Sequence, residues 1–463
     1  MKYSNLKISA FISIPTTFMR TQFPQKKNIT CKGLSGKINE SDEWLNSILS
    51  VRDRSDKEYL NKWRKVGVNL IKNIPPPSKS DESWKLTPLD KLFEMRFSKN
   101  EKVTDPSSLE KYVSGSIGPK IVFVNGVFSK ILSNLSSLDK KVFLGTIKDY
   151  QDEEIDSTLE FLSKGESGIN GGFFPALNIA CLSDILVLSI PSNLRLINPI
   201  SIIYIGSSDT NTSAFNHRLI IISGKNSKGS IIEHHIGTTN SKYLDNTALS
   251  ILTKEGSTLD FYLINETSNL STCINSIHVE VKKDSTFNFS TISLGGLLSR
   301  INLGIDINGT NCNCSVKGTS IAKDFQLSDF HSRISHNLPN SKSSQLQKIL
   351  LTDKAHGIFA GKIQVQHGAG NTNSDQLCKT LLLSPSSRVD ALPILEINNE
   401  NVKCTHGSTV SDLDINQMFY LQTRGINKND AKKLLTKGFI NEMILDYPLE
   451  LKSKVSQQLE FLI

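Results

Sequence analysis

The sequence lacks the patterns of a membrane protein and of a disulfide-stabilised protein. No run approaches the roughly 18 uninterrupted apolar residues of a membrane span, and the most apolar stretch, 185–205, is broken by Pro191, Arg195 and Pro199. The seven cysteines are odd in number and widely spaced, and no CxxC pair occurs. A disulfide framework and a self-contained zinc site are therefore not expected, and a reducing compartment fits best.

Motifs of nucleotide-dependent and hydrolytic enzymes are also missing. No GxxxxGKS/T, GxSxG, HExxH or GxGxxG pattern occurs, so ATP hydrolysis would have to come from a partner. The net charge is +8, but lysine and arginine are spread along the 463 residues and do not cluster. The charge therefore gives little reason to expect nucleic-acid binding.

Acidic residues are absent from the N-terminus. Residues 1–39 contain seven lysines and arginines, and Glu40 is the first acid. Serine and threonine are frequent, and the apolar patch 8–14 is short and ends at Pro15. The pattern predicts an organelle transit peptide, plastid or mitochondrial, over 1–39, and a disordered basic tail is the alternative.

Three further regions follow from the hydrophobic periodicity. Residues 40–165 are predicted to form an N-terminal helical region, with an N-cap at Ser41 and a stop at Pro75. Residues 166–409 carry short apolar runs closed by Gly, Asn, Ser or Asp, and alternation is clearest around Ile301–Ile307. This pattern is typical of an all-β sandwich, barrel or β-helix, and the asparagines at strand ends favour the β-helix although no fixed-length repeat is visible.

The C-terminal region, 410–463, is again helical. Two helices separated by Gly425 form an αα-hairpin. The second carries the apolar stripe Leu434, Leu435, Phe439 and Met443, which either binds a partner or packs on the β-domain.

The stretch 348–426 resembles the SufB/SufD family of iron–sulfur cluster assembly proteins. The similar features are Gly-Ile-Phe-Ala-Gly at 357–361, Leu-Leu-Leu-Ser at 381–384, Lys-Cys-Thr-His-Gly at 403–407 and Phe-Tyr-Leu-Gln-Thr-Arg-Gly-Ile at 419–426. SufB members have a cysteine-rich segment and a His-Glu pair, whereas here 382–385 has no cysteine and Gly407 follows His406. The chain is therefore identified as a SufD-like member of the family.

The resemblance implies both a fold and an assembly. The implied fold is mainly β, a flattened right-handed parallel β-helix flanked by N-terminal and C-terminal helical regions. The implied partners are a SufB-like scaffold and a SufC-like ABC ATPase, with no nucleic acid and no membrane span. The chain would be a non-catalytic scaffold in the plastid stroma, or alternatively in another organelle or the cytoplasm. The helical stripe at 434–443 would bind the ATPase, because such ATPases take a partner's short helix into a groove.

His406 and Cys404 are the candidate site. Alternation on an extended segment places Val402, Cys404 and His406 on one face, where imidazole and thiol suit iron. The resemblance associates the histidine with cluster formation at the SufB interface. His406 would then be a metal ligand shared with the partner, and the nascent iron–sulfur cluster would not be stably bound by this chain alone. A hydrogen-bonded structural histidine and a core-filling cysteine are the alternatives.

Other potential ligands are less convincing. His234 and His235 follow Glu233, but neighbours on a strand point to opposite faces. Cys312 and Cys314 share a strand face, where core filling is favoured. Two alternative functions remain: a SufB-like primary cluster scaffold and a β-helix carbohydrate-active enzyme. The enzyme would need clustered carboxylates, whereas the candidates are scattered along the chain: Asp184, Asp260, Asp306, Asp324 and Asp329.

Overall fold

The structure is a computed structural model that describes residues 40–51, 58–99, 106–114, 118–150, 172–207, 212–238, 240–444, 447, 452–453 and 457. The predicted transit peptide, 1–39, lies outside the described residues. The helices within the described part are α1 (Glu40–Val51), α2 (Glu58–Asn73), α3 (Asp90–Phe93), α4 (Glu110–Val113), α5 (Phe173–Ala180), α6 (Ile415–Thr423) and α7 (Lys428–Ile444).

Twenty strands make up 44% of the described residues. They are β1 (Lys120–Val124), β2 (Val127–Phe128), β3 (Phe143–Thr146), β4 (Leu186–Ile190), β5 (Ile200–Gly206), β6 (Ser213–Phe215), β7 (Arg218–Ser223), β8 (Lys228–Gly237), β9 (Tyr243–Thr253), β10 (Thr258–Glu266), β11 (Thr272–Val281), β12 (Thr286–Ser293), β13 (Leu298–Ile307), β14 (Asn313–Ala322), β15 (Leu327–His336), β16 (Lys342–Leu351), β17 (His356–Val365), β18 (Thr372–Leu382), β19 (Arg388–Ile397) and β20 (Val402–Ser411).

The strands form two sheets between which the chain alternates. Sheet A has the order β2-β1-β5-β8-β10-β12-β14-β16-β18-β20, and sheet B has the order β19-β17-β15-β13-β11-β9-β7-β4-β3, with β6 paired to β9. The β1–β2 and β3–β4 pairs are antiparallel, and the ladders from β5 to β20 are parallel. The result is a parallel β-solenoid of about eight turns with helices at both ends of the sequence, which confirms the predicted fold class.

The coils differ in length, which explains why no fixed repeat is visible in the sequence. Along sheet A, Thr258 pairs with Thr286, Thr286 with Asn313, Asn313 with Lys342, and Lys342 with Asn373. These spacings are 28, 27, 29 and 31 residues. The variation is taken up at the corners, so the strands stay in register while the sequence period drifts.

Asparagines hold one corner of the solenoid. Asn311, Asn340 and Asn371 have positive φ angles of 58°, 64° and 56°, a conformation that asparagine tolerates better than most residues. Their side chains also connect successive coils, because Asn371 Nδ2 donates to Asn340 Oδ1 at 3.0 Å and Asn401 Nδ2 donates to Asn371 Oδ1 at 2.8 Å. The asparagine-rich strand ends are therefore the corners of a β-helix.

The N-terminal helices cover the outer face of sheet B. Trp44 of α1 is fully buried and packs with Phe173 and Phe174 of α5 against apolar side chains of the sheet. Arg300 of β13 is also buried, donates to Asp329 at 2.7 Å, and lies 3.7 Å from the ring centroid of Trp84. A buried ion pair and a cation–π contact thus join residues that are distant in sequence.

The second C-terminal helix packs on the outer face of sheet A. Ile440, Met443 and Ile444 of α7 are buried together with a row of strand residues: Ile232, Ile264, Ile292, Ile321, Leu350 and Leu381. The sequence pattern left open whether the hairpin stripe packs on the β-domain, and for Met443 it does.

The sheets begin earlier in the chain than the sequence pattern indicates. Strands β1–β3 precede residue 165, where the helical region was predicted to end, and β20 continues to Ser411. These first strands are short, at five, two and four residues, and too short for a clear alternation. None of the helices in the described ranges is long and apolar enough to cross a membrane.

Candidate functional site

The last coil of the solenoid is formed by β19 and β20, which are the edge strands of sheets B and A. Each pairs on one side, β19 with β17 and β20 with β18. Within the described residues no further strand pairs with their outer edges. Two ten-residue strands therefore present backbone donors and acceptors that another strand could pair with.

The register places Cys404 and His406 on the inward face of this last coil. Ser374 and Gln376 are their partners on β18, and both of these side chains are buried inside the solenoid. Aligned residues of neighbouring parallel strands point the same way, so Cys404 and His406 continue the interior column. At the end of the column His406 is exposed to solvent.

Cys404 is half-buried at this end. It packs with Val402 and Leu395 around Ile363 and Val365 of β17. Burial raises the pKa of the Cys404 thiol, which therefore stays protonated near neutral pH until a metal or base takes the proton.

Cys404 and His406 could supply two of the several ligands that an iron–sulfur cluster needs. Residues two apart on a strand are separated by about 6.6 Å, so a thiolate and an imidazole at this spacing reach two points of one cluster. Iron–sulfur clusters are commonly held by four ligands. Among the described residues, the one place where three potential metal ligands converge is His235, Asp245 and Cys273, and that group does not include Cys404 or His406. The terminal pair is therefore incomplete by itself.

The other cysteines and histidines that the sequence suggested are in different surroundings. Cys312 and Cys314 are buried in the apolar core, and burial raises the pKa of both thiols. His234 lies 2.6 Å from Glu266, and His235 lies 2.6 Å from Asp245. The two neighbouring histidines thus have separate partners, as expected for opposite faces of a strand.

The carboxylates required by the carbohydrate-enzyme alternative are engaged elsewhere. Asp306 binds Arg333 at 2.5 Å and His278 at 2.9 Å, and Asp329 is buried against Arg300. Burial alone would raise the pKa of Asp306, but these two partners outweigh it and hold the pKa at about 2. Both groups are stabilised anions in ion pairs and are poor proton donors.

The predicted apolar stripe of the C-terminal hairpin is divided between two environments. Leu434 is 50% exposed, Leu435 and Phe439 are half-buried, and Met443 is fully buried. Met443 is therefore not part of the exposed surface that was predicted to bind the ATPase, because sheet A covers it. Sequence analysis gave no site role to Ile415, Phe419 and Tyr420 of α6, which are 82%, 66% and 57% exposed.

Comparisons with known proteins agree with this architecture. A family model described as "SUF system FeS cluster assembly, SufBD core domain" matches residues 204–439, and one described as "SufBD protein N-terminal region" matches 46–202. The chain is 28% identical to an iron–sulfur cluster assembly SufBD family protein of Synechocystis, over 91% of this chain and 94% of that protein.

Two further relatives cover most of the chain. Protein ABCI7, chloroplastic, of Arabidopsis thaliana is 25% identical over 84% of this chain and 83% of its own length. The iron–sulfur cluster assembly protein SufD of Escherichia coli is 24% identical over 79% of this chain and 84% of its own length. With a core model that spans half of the sequence and a second model on most of the rest, the chain belongs to the SufBD family of iron–sulfur cluster assembly proteins.

Proposed function

We propose that this chain is a SufD-like scaffold subunit that works with a SufB-like scaffold and a SufC-like ABC ATPase. The nascent iron–sulfur cluster forms at the interface with the SufB-like partner, and this chain holds no stable cluster by itself. The chain is non-catalytic, and ATP hydrolysis is the work of the ATPase.

The observation that carries this proposal is the open end of the solenoid. Cys404 and His406 lie on the inward face of an edge strand, with two ligand atoms where a cluster needs about four. A second β-solenoid that pairs with β19 or β20 would satisfy the free strand edges and bring further ligands to the same place. A shared site also accounts for a half-buried thiol beside an exposed imidazole.

The C-terminal hairpin is the proposed docking surface for the ATPase. Ile440, Met443 and Ile444 fix α7 to sheet A, whereas four apolar side chains of the hairpin are exposed. That exposed set is Ile415, Phe419, Tyr420 and Leu434. A helical hairpin anchored on one face and apolar on the other suits a groove on a partner.

A plastid location is part of the proposal. The relative of Arabidopsis carries the word chloroplastic in its name, and residues 1–39 have the composition of a transit peptide. Import into the stroma predicts a mature N-terminus near residues 30–40. N-terminal sequencing of the native protein tests this, and an intact Met1 on the mature form would contradict cleavage.

The central experiment replaces His406 in a complex reconstituted with both partners. His406→Ala is expected to leave the complex assembled, because the exposed ring contributes no core contact. Iron and acid-labile sulfide per complex should fall several-fold. The matched control is His367→Ala, which removes another exposed histidine that lies outside β20.

Two results would overturn the proposal. One is an unchanged cluster yield in the His406→Ala complex, which would make His406 a structural residue. The other is a stable cluster in the isolated chain after reconstitution with iron and sulfide, which would favour a SufB-like primary scaffold.

A further inference from the structure

A second group of metal-binding side chains lies inside the solenoid, far along the chain from β20. His235 comes from β8, Asp245 from β9 and Cys273 from β11, and all three are buried. Cys273 pairs in register with Asp245, while His235 enters from the opposite sheet at the adjoining corner. The fold therefore brings together an imidazole, a carboxylate and a thiol that are up to 38 residues apart.

The distances within this group suit a single ion. One ligand atom from each residue lies within 4.8 Å of the other two. Ligands of a tetrahedral zinc ion, bound at about 2.0–2.3 Å, are roughly 3.3–3.7 Å apart, so small side-chain rotations would close the site. Glu233 Oε1 lies 3.0 Å from His235 Nε2, the ring nitrogen opposite the one that faces Asp245, so it orients the imidazole and is not a ligand of the same ion.

The charges in this enclosed space favour a cation. Asp245 and Glu233 are both buried and both within hydrogen-bond distance of His235. Two carboxylates thus face one imidazole inside the enclosed core, an arrangement that attracts a cation.

A second layer of polar side chains orients the ligands. Thr247 donates to Asp245 at 2.9 Å, and the Asn275 side chain lies 3.4 Å from the Cys273 sulfur. Asn265 in turn donates to Asn275 at 3.1 Å. Such hydrogen-bonded neighbours fix the orientation of ligands in metal sites, whereas an ordinary apolar core has no role for them.

The group also lies close to an open pocket. Tyr204 and His217 line an open pocket of about 490 Å³. The Tyr204 ring lies 4.0 Å from the His217 ring and 4.9 Å from the His235 ring, centroid to centroid. Tyr204, which lines the pocket, is thus in ring contact with the buried ligand His235.

We propose that His235, Asp245 and Cys273 form a buried site for a divalent transition-metal ion such as Zn²⁺ or Fe²⁺. A mixed nitrogen, oxygen and sulfur donor set suits ions of this borderline class and not Ca²⁺ or Mg²⁺. The site is separate from Cys404 and His406, so it does not depend on the proposed cluster interface.

The test uses the full chain with Cys404→Ala and His406→Ala, which removes the exposed ligands at the end of the solenoid. After chelator treatment, Zn²⁺ is added, unbound ion is removed, and zinc per chain is measured by mass spectrometry. We expect about one zinc per chain and a higher unfolding temperature with Zn²⁺, because binding to the folded state stabilises it. Cys273→Ala in this background should lose the ion, and the matched control Cys314→Ala, another buried thiol, should keep it.

The result is read on two independent measurements. Zinc that is absent from the background protein, or retained in the Cys273→Ala variant, overturns the proposal. If Cys273→Ala does not fold, X-ray absorption of the zinc-loaded background protein decides without that variant. One sulfur with nitrogen and oxygen ligands supports the site, and a shell without sulfur overturns it.

Discussion

The ammonium group of Lys348, on β16, lies 2.6 Å from the Glu442 carboxylate of α7 and also donates to the Phe439 carbonyl at 2.5 Å. Lys348 is 2% exposed, although lysine is rarely buried. Its aliphatic stem lies on the outer face of sheet A, and its charge binds the helix that covers it. The hairpin is thus fastened to the solenoid by apolar burial and by one buried cation.

Lys348→Met should loosen the hairpin without unfolding the solenoid. Hydrogen bonds to charged groups contribute about 1.5–3 kcal/mol, and the lower end applies here because Glu442 is more than half exposed. Hydrogen exchange of α7 amides should accelerate accordingly. Lys379→Met is the control, since Lys379 lies 3.8 Å from Glu442 and should matter by less than about 1 kcal/mol. Equal exchange in Lys348→Met and the unchanged protein would contradict this role.

The asparagine corners supply a second prediction. Asn340→Ala should lower the unfolding free energy by about 1–2 kcal/mol, because the left-handed conformation is less favourable for alanine than for asparagine. Asn340→Gly removes the same side-chain hydrogen bond to Asn371 but permits the positive φ, so it should cost less. Denaturant unfolding of both variants measures the two contributions. If both variants lose the same unfolding free energy, the side-chain hydrogen bond to Asn371 matters and the backbone conformation does not.

The hairpin surface gives a third prediction. Leu434→Asp should weaken association with the ATPase by tenfold or more, the usual effect of losing an apolar anchor worth about 1.4 kcal/mol. It should leave the fold intact, since Leu434 is half exposed. Asn429→Asp adds the same charge at an exposed position near the start of α7 and is the control. Affinity is measured by calorimetry with the purified ATPase.

Met443, on the same helix as Leu434, is expected to affect the stability of the fold. Met443→Ala should destabilise the folded chain by about 2–5 kcal/mol, because the side chain is fully buried against sheet A.

If the Leu434→Asp variant retains full affinity for the ATPase, the hairpin only covers the solenoid, and the docking surface lies elsewhere.

Much of the fold could be predicted because alternation and corner residues are local signals. The alternation around Ile301–Ile307 and the asparagines at strand ends favoured a β-helix without any knowledge of which strands pair. The short strands β1–β3 were missed, since two to five residues carry too little periodicity. Met443 was misjudged for a different reason. A helical stripe shows that a face is apolar, but not which surface covers it.

The two groups of potential metal ligands also differ in how far the sequence could predict them. Cys404 and His406 are two residues apart, so alternation alone places them on one face. His235, Asp245 and Cys273 come together through the register of three strands and the length of two corners. Since corner lengths vary from coil to coil, no spacing in the sequence could have predicted that group.

The buried His336 gives a prediction for pH dependence. Its Nε2 lies 2.8 Å from Ser343 Oγ inside the solenoid, and burial lowers the pKa of His336 to about 4 from 6.5. Between pH 6.5 and 4 the unfolded chain binds a proton at this residue that the folded chain does not. Stability contributed by the neutral ring is therefore complete above pH 6.5 and falls as the pH drops towards 4, by up to about 3 kcal/mol.

The variant His336→Gln isolates this contribution. Glutamine does not titrate and can still hydrogen-bond to Ser343, so the fall in unfolding free energy between pH 6.5 and 4 should be smaller than in the unchanged protein. His217, whose pKa burial also lowers to about 4, still titrates in the variant, so the difference between the two curves is the measured quantity. His367→Gln, at an exposed position, should follow the unchanged protein. Parallel curves for His336→Gln and the unchanged protein would show that His336 accepts its proton as readily in the folded state as in the unfolded one.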